Sequence, residues 1–394
     1  MPPRSSARRC SSTFCLAAAL LVLLPMTAWG NEYPLPTGSD VVGEAVRIPA
    51  RQEDTLSDIA RTYGAGYEEI VLANPKVDPW LPGNGTPVVV PNRFVLPNAP
   101  RDGIVLNVAE LRLYYFPPAR AGEPRRVVSY PVSVGRVDWR TPLGTTRVVR
   151  KVTDPSWTPP ASIKREHALQ GDILPEQVPA GPDNPLGRYA LHLGVSGYLL
   201  HGTNKPFGIG MRVTHGCVRL YPEDIETLYG EVPVGTPVHL VDQSNKVGWS
   251  DGVLYLEAHP PFGEDREGEV TNLTDMVQVV MDATRTYPDY PVDWKRAEAE
   301  ILKPSGLPVP IGPRMELKIP AASPPPSAAP RSEAAKPVVA STTVPAAPQA
   351  STTAARPEAM RPVVASPRAP APAPTVPKKR TPPERGSQPD KRAR

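Results

Sequence analysis

Between residues 103 and 241 the apolar residues come in short β-branched runs, each closed by turn residues. "GIVLNVAELRLYYFP" (103–117) holds two such runs around Ala109-Glu110, the pattern of a hairpin. "RRVVSYPVSVG", "TRVVRKV", "YLLHG" and "TPVHLVD" add four more. Runs this short and this rich in Val, Leu and Tyr bury a face only by pairing side by side, so they demand a sheet. Within this stretch only "YPEDIETLYG" (221–230) reads as a clear helix, with Pro222 near its first turn. The expected fold class is mainly β: a β-sandwich or barrel-like sheet with one or two small helices.

The two ends have other compositions. Arg4, Arg8 and Arg9 precede "FCLAAALLVLLPM" (14–26), an apolar run short for a membrane span, and "AWG" (28–30) follows with small residues. Residues 1–30 therefore read as a cleaved signal peptide, with export to the periplasm and a mature chain starting near Asn31. At the far end, 321–394 holds 17 Pro in 74 residues and no Phe, Trp, Tyr, Ile or Leu. Such a segment cannot bury enough apolar surface to offset its ordering entropy, so 313–394 is expected to be a disordered tail. Its 12 Lys/Arg against 4 Asp/Glu leave 31–320 at −7 of the chain's +4. Export argues against nucleic acid as a partner; anionic envelope polymers or lipid head groups suit the basic tail.

Two small units flank the strand-rich region, which spans 102–242. In 43–92, Asp54 or Thr55 can cap a helix that turns Leu56, Ile59 and Ala60 to one face and stops at Gly64. Tyr67 to Ala73 reads as a second helix ended by Asn74-Pro75, and Val88–Val90 as a strand able to pair with Val46–Pro49. This βααβ order, "DTLSDIARTYG" and "LANP" resemble the lysin motif, a module that binds peptidoglycan and chitin-like glycans; Glu53 stands where that family usually has Gly. In 243–312, "TNLTDMVQVVMDATRTY" and "WKRAEAEILK" read as two helices of a small helical packing unit with no chemical motif.

The chemistry centres on "HGTNKPFGIGMRVTHGCVRL" (201–220). Of three cysteines, Cys10 and Cys15 fall in the signal segment, so Cys217 is alone in an exported chain, where cysteines ordinarily pair. As a metal ligand with His201, His215 and His192 it lacks the paired spacing of structural zinc sites. As an inert buried thiol it is flanked by the wrong residues, His215 and Arg219. As a nucleophile it fits. The start of the following helix and Arg219 would lower its pKa, and His201 could take its proton. The amides of Gly216 and Cys217 could face a developing oxyanion.

The same residues resemble the L,D-transpeptidase (YkuD-type) signature: His-Gly, then Ser/Thr-His-Gly-Cys-x-Arg. "TPLG" (141–144) and "GPDNPLGRYALHLG" (181–194) resemble that family too. The order of units resembles Gram-negative members that join an outer-membrane lipoprotein to peptidoglycan. The resemblance implies that Cys217 attacks the carbonyl of the third-position diamino acid of a tetrapeptide stem. D-Ala leaves, and the acyl group passes to an amine, either a lipoprotein lysine or that of a neighbouring stem. It implies His201 as proton donor and acceptor, His215 as orienter of the loop, and Arg219, Gly202, Thr203 and Thr214 on the substrate side. No metal or organic cofactor is implied. Hydrolysis of the same bonds, or an inactive wall-binding scaffold, are the alternatives; the intact His201, Cys217 and Arg219 argue against the scaffold.

Overall fold

A computed structural model describes residues 31–120, 122–261 and 273–315. The expected signal segment and all but the first three residues of the expected tail lie outside these. No described helix is long and apolar enough to cross a membrane.

The N-terminal elements are β1 (Asn31–Pro34), β2 (Val41–Gly43), β3 (Val46–Pro49), α1 (Leu56–Thr62), α2 (Tyr67–Ala73), β4 (Pro87–Val90) and β5 (Arg93–Val95). The central ones are β6 (Gly103–Asn107), β7 (Arg112–Phe116), β8 (Arg126–Pro131), β9 (Val134–Gly135), β10 (Gly144–Thr153), α3 (Ala161–Leu169), β11 (Tyr189–Leu193), β12 (Leu199–His201), β13 (Arg212–Thr214), β14 (Val218–Arg219), α4 (Pro222–Glu231) and β15 (Pro237–Val241). β16 (Asn245–Ser250), β17 (Val253–Ala258), α5 (Leu273–Ala283), α6 (Trp294–Leu302) and β18 (Val309–Pro310) follow.

The fold is mainly β. Nine strands form one sheet in the order β1-β8-β7-β6-β15-β10-β11-β12-β14. The hairpin expected at 103–117 is β6 and β7, paired from Gly103↔Phe116 to Asn107↔Arg112. β10 belongs to both halves of the sheet. Its first residues pair with β15 and its last with β11, with a register shift between Val148 and Arg150. A bulge bends its strand and sharpens the twist, and here the sheet curls over its own core. Leu106, Leu113 and Tyr130 from one half meet Leu191, Leu200 and Val218 from the other, with Ile225 and Leu228 of α4 in the same core. On the opposite face, Phe94, Leu96, Val42 and Leu35 cover Tyr114 and Phe116.

The βααβ unit forms as its caps dictate. Thr55 Oγ1 accepts from the Asp58 N–H at 3.1 Å while the Asp58 carboxylate accepts from the Thr55 N–H at 3.1 Å, a reciprocal capping box. Leu56, Ile59, Ala60 and Ile70 pack on Val88 and Val90, and β3 pairs with β4. A buried ion pair fastens this unit to the sheet: Arg112 on β7 reaches Glu69 on α2 at 2.6 and 2.7 Å. Removing one partner of such a pair costs roughly 3–5 kcal/mol, because the other charge stays buried alone.

The C-terminal unit corrects the all-helical expectation. α5 and α6 are present, but they pack with a three-stranded antiparallel sheet, β16-β17-β18. "VLYLEA" has the alternation of a strand; the stronger periodicity of the two helices had masked it. Its anchor is a buried charge cluster in which Lys246 Nζ lies 2.5 Å from Glu110 and 2.7 Å from Glu257.

Candidate active site

β12 and β14 run parallel in the sheet, with Leu200 opposite Val218 and His201 opposite Arg219. The Leu220 N–H donates to His201 O at 2.9 Å and closes the pairing. The long loop after His201 leaves the sheet and returns through β13, which pairs with β9. Cys217 is the residue just before β14. The topology thus sets Arg219 on the neighbouring strand level with His201, with Cys217 two residues before it, although sixteen residues separate His201 from Cys217.

The turn carrying the thiol is tied from within. Thr214 Oγ1 donates to Cys217 O at 2.5 Å and accepts from the Gly216 N–H at 3.2 Å. Thr141 Oγ1 donates to Gly216 O at 2.9 Å and accepts from the Gly135 N–H at 3.1 Å. Gly216 sits at φ +102°, and a Cβ there would lie 2.9 Å from the Tyr198 ring, so only glycine fits.

The structure corrects two expectations, on the Gly216 amide and on the helix after Cys217. The Gly216 amide is committed to Thr214 and is not free to face an oxyanion. The Thr214 hydroxyl is engaged within the turn, and the buried Thr203 hydroxyl accepts from the Lys205 N–H at 3.0 Å. Cys217 does not begin a helix: it leads into β14, and α4 starts only at Pro222, so no helix dipole acts on the sulfur. Burial accordingly pushes the half-buried thiol above its ordinary range, which the Leu199 amide and Arg219 only partly offset. Sγ lies 3.5 Å from Gly197 O as a thiol donor.

His201 is 3 % exposed. Its Nδ1 lies 2.7 Å from Gly202 O. A carbonyl only accepts, so Nδ1 carries the proton and Nε2 the lone pair. Burial, with Arg219 second, pushes the imidazole pKa down to about 3. The ring is neutral at any physiological pH. Gly202 therefore acts through its carbonyl, and a Cβ on it would meet Ile225 at 3.1 Å.

Arg219 offers charge without a partner. Its Nε is buried with no hydrogen bond, and no carboxylate pairs with it among the described residues. Burial pulls its pKa below the ordinary value. A carboxylate entering here would find an unneutralised guanidinium fork.

His215 faces away, to a rim that sequence reasoning missed. Its Nε2 lies 3.0 Å from Glu166 Oε2, while Glu166 Oε1 lies 2.9 Å from Arg136. Trp139 meets the His215 ring edge-on at 5.1 Å between centroids. Glu166 rides on α3, where Ile163 is the one buried residue, so no apolar stripe announced the helix. His192, the third histidine of the metal reading, lies on β11 with Arg150 3.0 Å from its Nε2, a cation where a metal would need to be. The described cluster able to present three ligand atoms is Glu110, Glu257 and His259, away from Cys217 in sequence and sheet, and Lys246 already supplies its positive charge.

Comparison with known proteins gives the family. The family model for the L,D-transpeptidase catalytic domain (YkuD) matches residues 101–240. The probable L,D-transpeptidase YbiS of Escherichia coli (strain K12) is 41% identical over 308 residues, covering 75% of this chain and 97% of that protein. The probable L,D-transpeptidase ErfK/SrfK of Salmonella typhimurium is 42% identical over 285 residues, covering 71% and 90%. The chain belongs to the L,D-transpeptidase family.

Proposed function

We propose that this protein is a peptidoglycan L,D-transpeptidase that uses Cys217 as its nucleophile. The observation that carries the reading is the neutral, buried His201, its Nδ1 held by Gly202 O, in register beside Arg219, which follows Cys217 by two residues. Because the thiol pKa is raised and the imidazole pKa lowered, the resting pair is thiol and neutral histidine, not thiolate and imidazolium. His201 Nε2 then takes the proton as Sγ attacks the carbonyl of the diamino acid of a tetrapeptide stem. With the Gly216 N–H engaged, the Cys217 amide is the donor assigned to the oxyanion. Collapse breaks the amide bond, and His201 returns its proton to the departing D-Ala amine. An acceptor amine attacks the thioester, gives a proton to His201, and expels the thiol, which recovers it. Arg219 holds a stem carboxylate, and His215 stiffens the turn through Glu166.

The acceptor is the lysine of an outer-membrane lipoprotein or the side-chain amine of a neighbouring stem. In this reading residues 1–30 direct export to the periplasm, 43–92 is a lysin-motif-like module for the glycan, 102–242 is the catalytic unit, and the basic segment 313–394 is a tether to anionic envelope polymers. The test is to incubate the purified mature chain with a diamino-acid tetrapeptide and a primary amine. Release of D-Ala with formation of the tripeptide–amine product is expected. Tripeptide alone would make the enzyme a hydrolase, and no D-Ala would reject the reading.

A further inference from the structure

The βααβ unit grips the loop that joins His201 to Cys217. The Tyr67 N–H donates to Ile209 O at 3.1 Å and the Glu68 N–H to Gly210 O at 3.0 Å. These amides open α2, where the helix itself supplies no acceptors, so the loop carbonyls satisfy them. The approach is backbone against backbone. A Cβ on Gly66 would lie 2.9 Å from Gly210 Cα, and one on Gly210, already at φ +84°, would lie 2.2 Å from Tyr67 N. Arg212 then pairs with Glu68 and donates to Ala109 O at 2.7 Å. Two residues later comes Thr214, which ties the Cys217 turn. From the sheet side, Ser133 Oγ donates to Gly208 O at 2.5 Å. The path from 208 to 212 is thus fixed between the sheet and α2.

A module that only bound glycan would need no such seam. We infer that the βααβ unit is a positioning element of the catalytic turn: Gly66 and Glu68 set the course of 209–214 and hence the aim of Cys217. This rests on the transpeptidase reading above. Its consequence is that turnover of a soluble tetrapeptide, which carries no glycan, depends on the module.

The test uses the full mature chain and its variants Glu68→Ala, Glu68→Gln and Gly66→Ala, assayed well below each melting temperature. Arg47→Ala, on the exposed face of β3, is the control. Misaiming a reacting group by about 1 Å can cost a hundredfold. Glu68→Ala and Gly66→Ala should lower kcat for D-Ala release by about tenfold to a hundredfold with KM within about twofold. Glu68→Gln, which keeps the length and an acceptor for Arg212, should recover most of the rate, and Arg47→Ala should match the parent. If Gly66→Ala does not fold, the Glu68 pair decides. A kcat equal to the parent's in Glu68→Ala, or a loss that Glu68→Gln does not relieve, overturns the inference. Inactivity of the parent chain itself would instead strike the transpeptidase reading; the rate of Cys217 alkylation, which needs no turnover, would still have to differ between parent and Glu68→Ala.

Discussion

Two histidines flank Cys217, one on the core side and one on the rim, and they differ in almost every physical respect. His201 ends β12, is buried, carries its proton on Nδ1 against a backbone carbonyl, and has a pKa pushed down to about 3. His215 lies in the turn itself, half-buried, with Nε2 on the Glu166 carboxylate of a weakly packed helix. Burial lowers the pKa of His215 too, but Glu166 opposes the shift. Each ring has one nitrogen engaged, Nδ1 of His201 by a backbone carbonyl and Nε2 of His215 by a carboxylate. With Nδ1 on a carbonyl, His201 keeps its lone pair on Nε2, while His215, with Nε2 on the carboxylate, keeps it on Nδ1; we assign the base's role to His201, whose ring burial holds in place.

The largest expected effect follows from that contrast. His201→Gln should lower D-Ala release by about 10²–10⁴-fold, the usual worth of a positioned proton acceptor, while His215→Gln should lose less than about tenfold. A reversed order in initial-rate assays would exchange the two roles. Next comes Arg219→Lys, which keeps the charge but loses the fork. A hydrogen bond between charged groups is worth about 1.5–3 kcal/mol, so kcat/KM should fall by roughly tenfold to a hundredfold, mostly through KM. An unchanged KM would mean that Arg219 braces the turn and does not hold substrate.

The contrast also has a pH signature in stability. The folded protein holds His201 neutral down to a pKa of about 3, whereas an unfolded chain protonates it near its ordinary value of about 6.5. Below 6.5 the unfolded state binds the extra proton, so stability is full above that pH and declines as pH falls through 6.5 toward 3. The whole window amounts to something on the order of 5 kcal/mol. Chemical denaturation at pH 7 and pH 4.5 should therefore show a larger loss in the parent than in His201→Gln; equal losses would contradict the buried neutral imidazole. The smallest effect should come from Glu166→Gln. Arg136 holds the Glu166 carboxyl below the usual carboxylate range, and the amide can still accept from His215. A change of only a few-fold in kcat is expected, since Glu166 steadies a residue that moves no proton. A loss as deep as that of His201→Gln would promote the rim pair to the catalytic machinery.

Much of this was legible in the sequence because it is local. The hairpin at Ala109-Glu110, the cap at Thr55 and the end of α2 at Asn74-Pro75 are each set by a few neighbouring residues, and each formed where its residues directed. The His-Gly…His-Gly-Cys-x-Arg frame likewise pointed to the family. What could not be read depends on distant pairing. The thiol's environment follows from Cys217 preceding a strand that lies beside β12, so the expected helix dipole never acts. Glu166 meets His215 across forty-nine residues, from a helix with one buried side chain. β16 and β17 were hidden by the stronger period of α5 and α6, and the curl at β10 arises from one shifted register.

The central claim is that Cys217 forms a covalent acyl-enzyme with His201 as its base. Intact-protein mass spectrometry of the mature chain, quenched in acid within seconds of mixing with a tetrapeptide stem, tests it most directly. A mass increase equal to the stem tetrapeptide minus D-Ala is expected, mapped to Cys217, absent in Cys217→Ala, and forming far more slowly in His201→Gln. D-Ala release without any adduct, or an adduct that persists in Cys217→Ala, would contradict it.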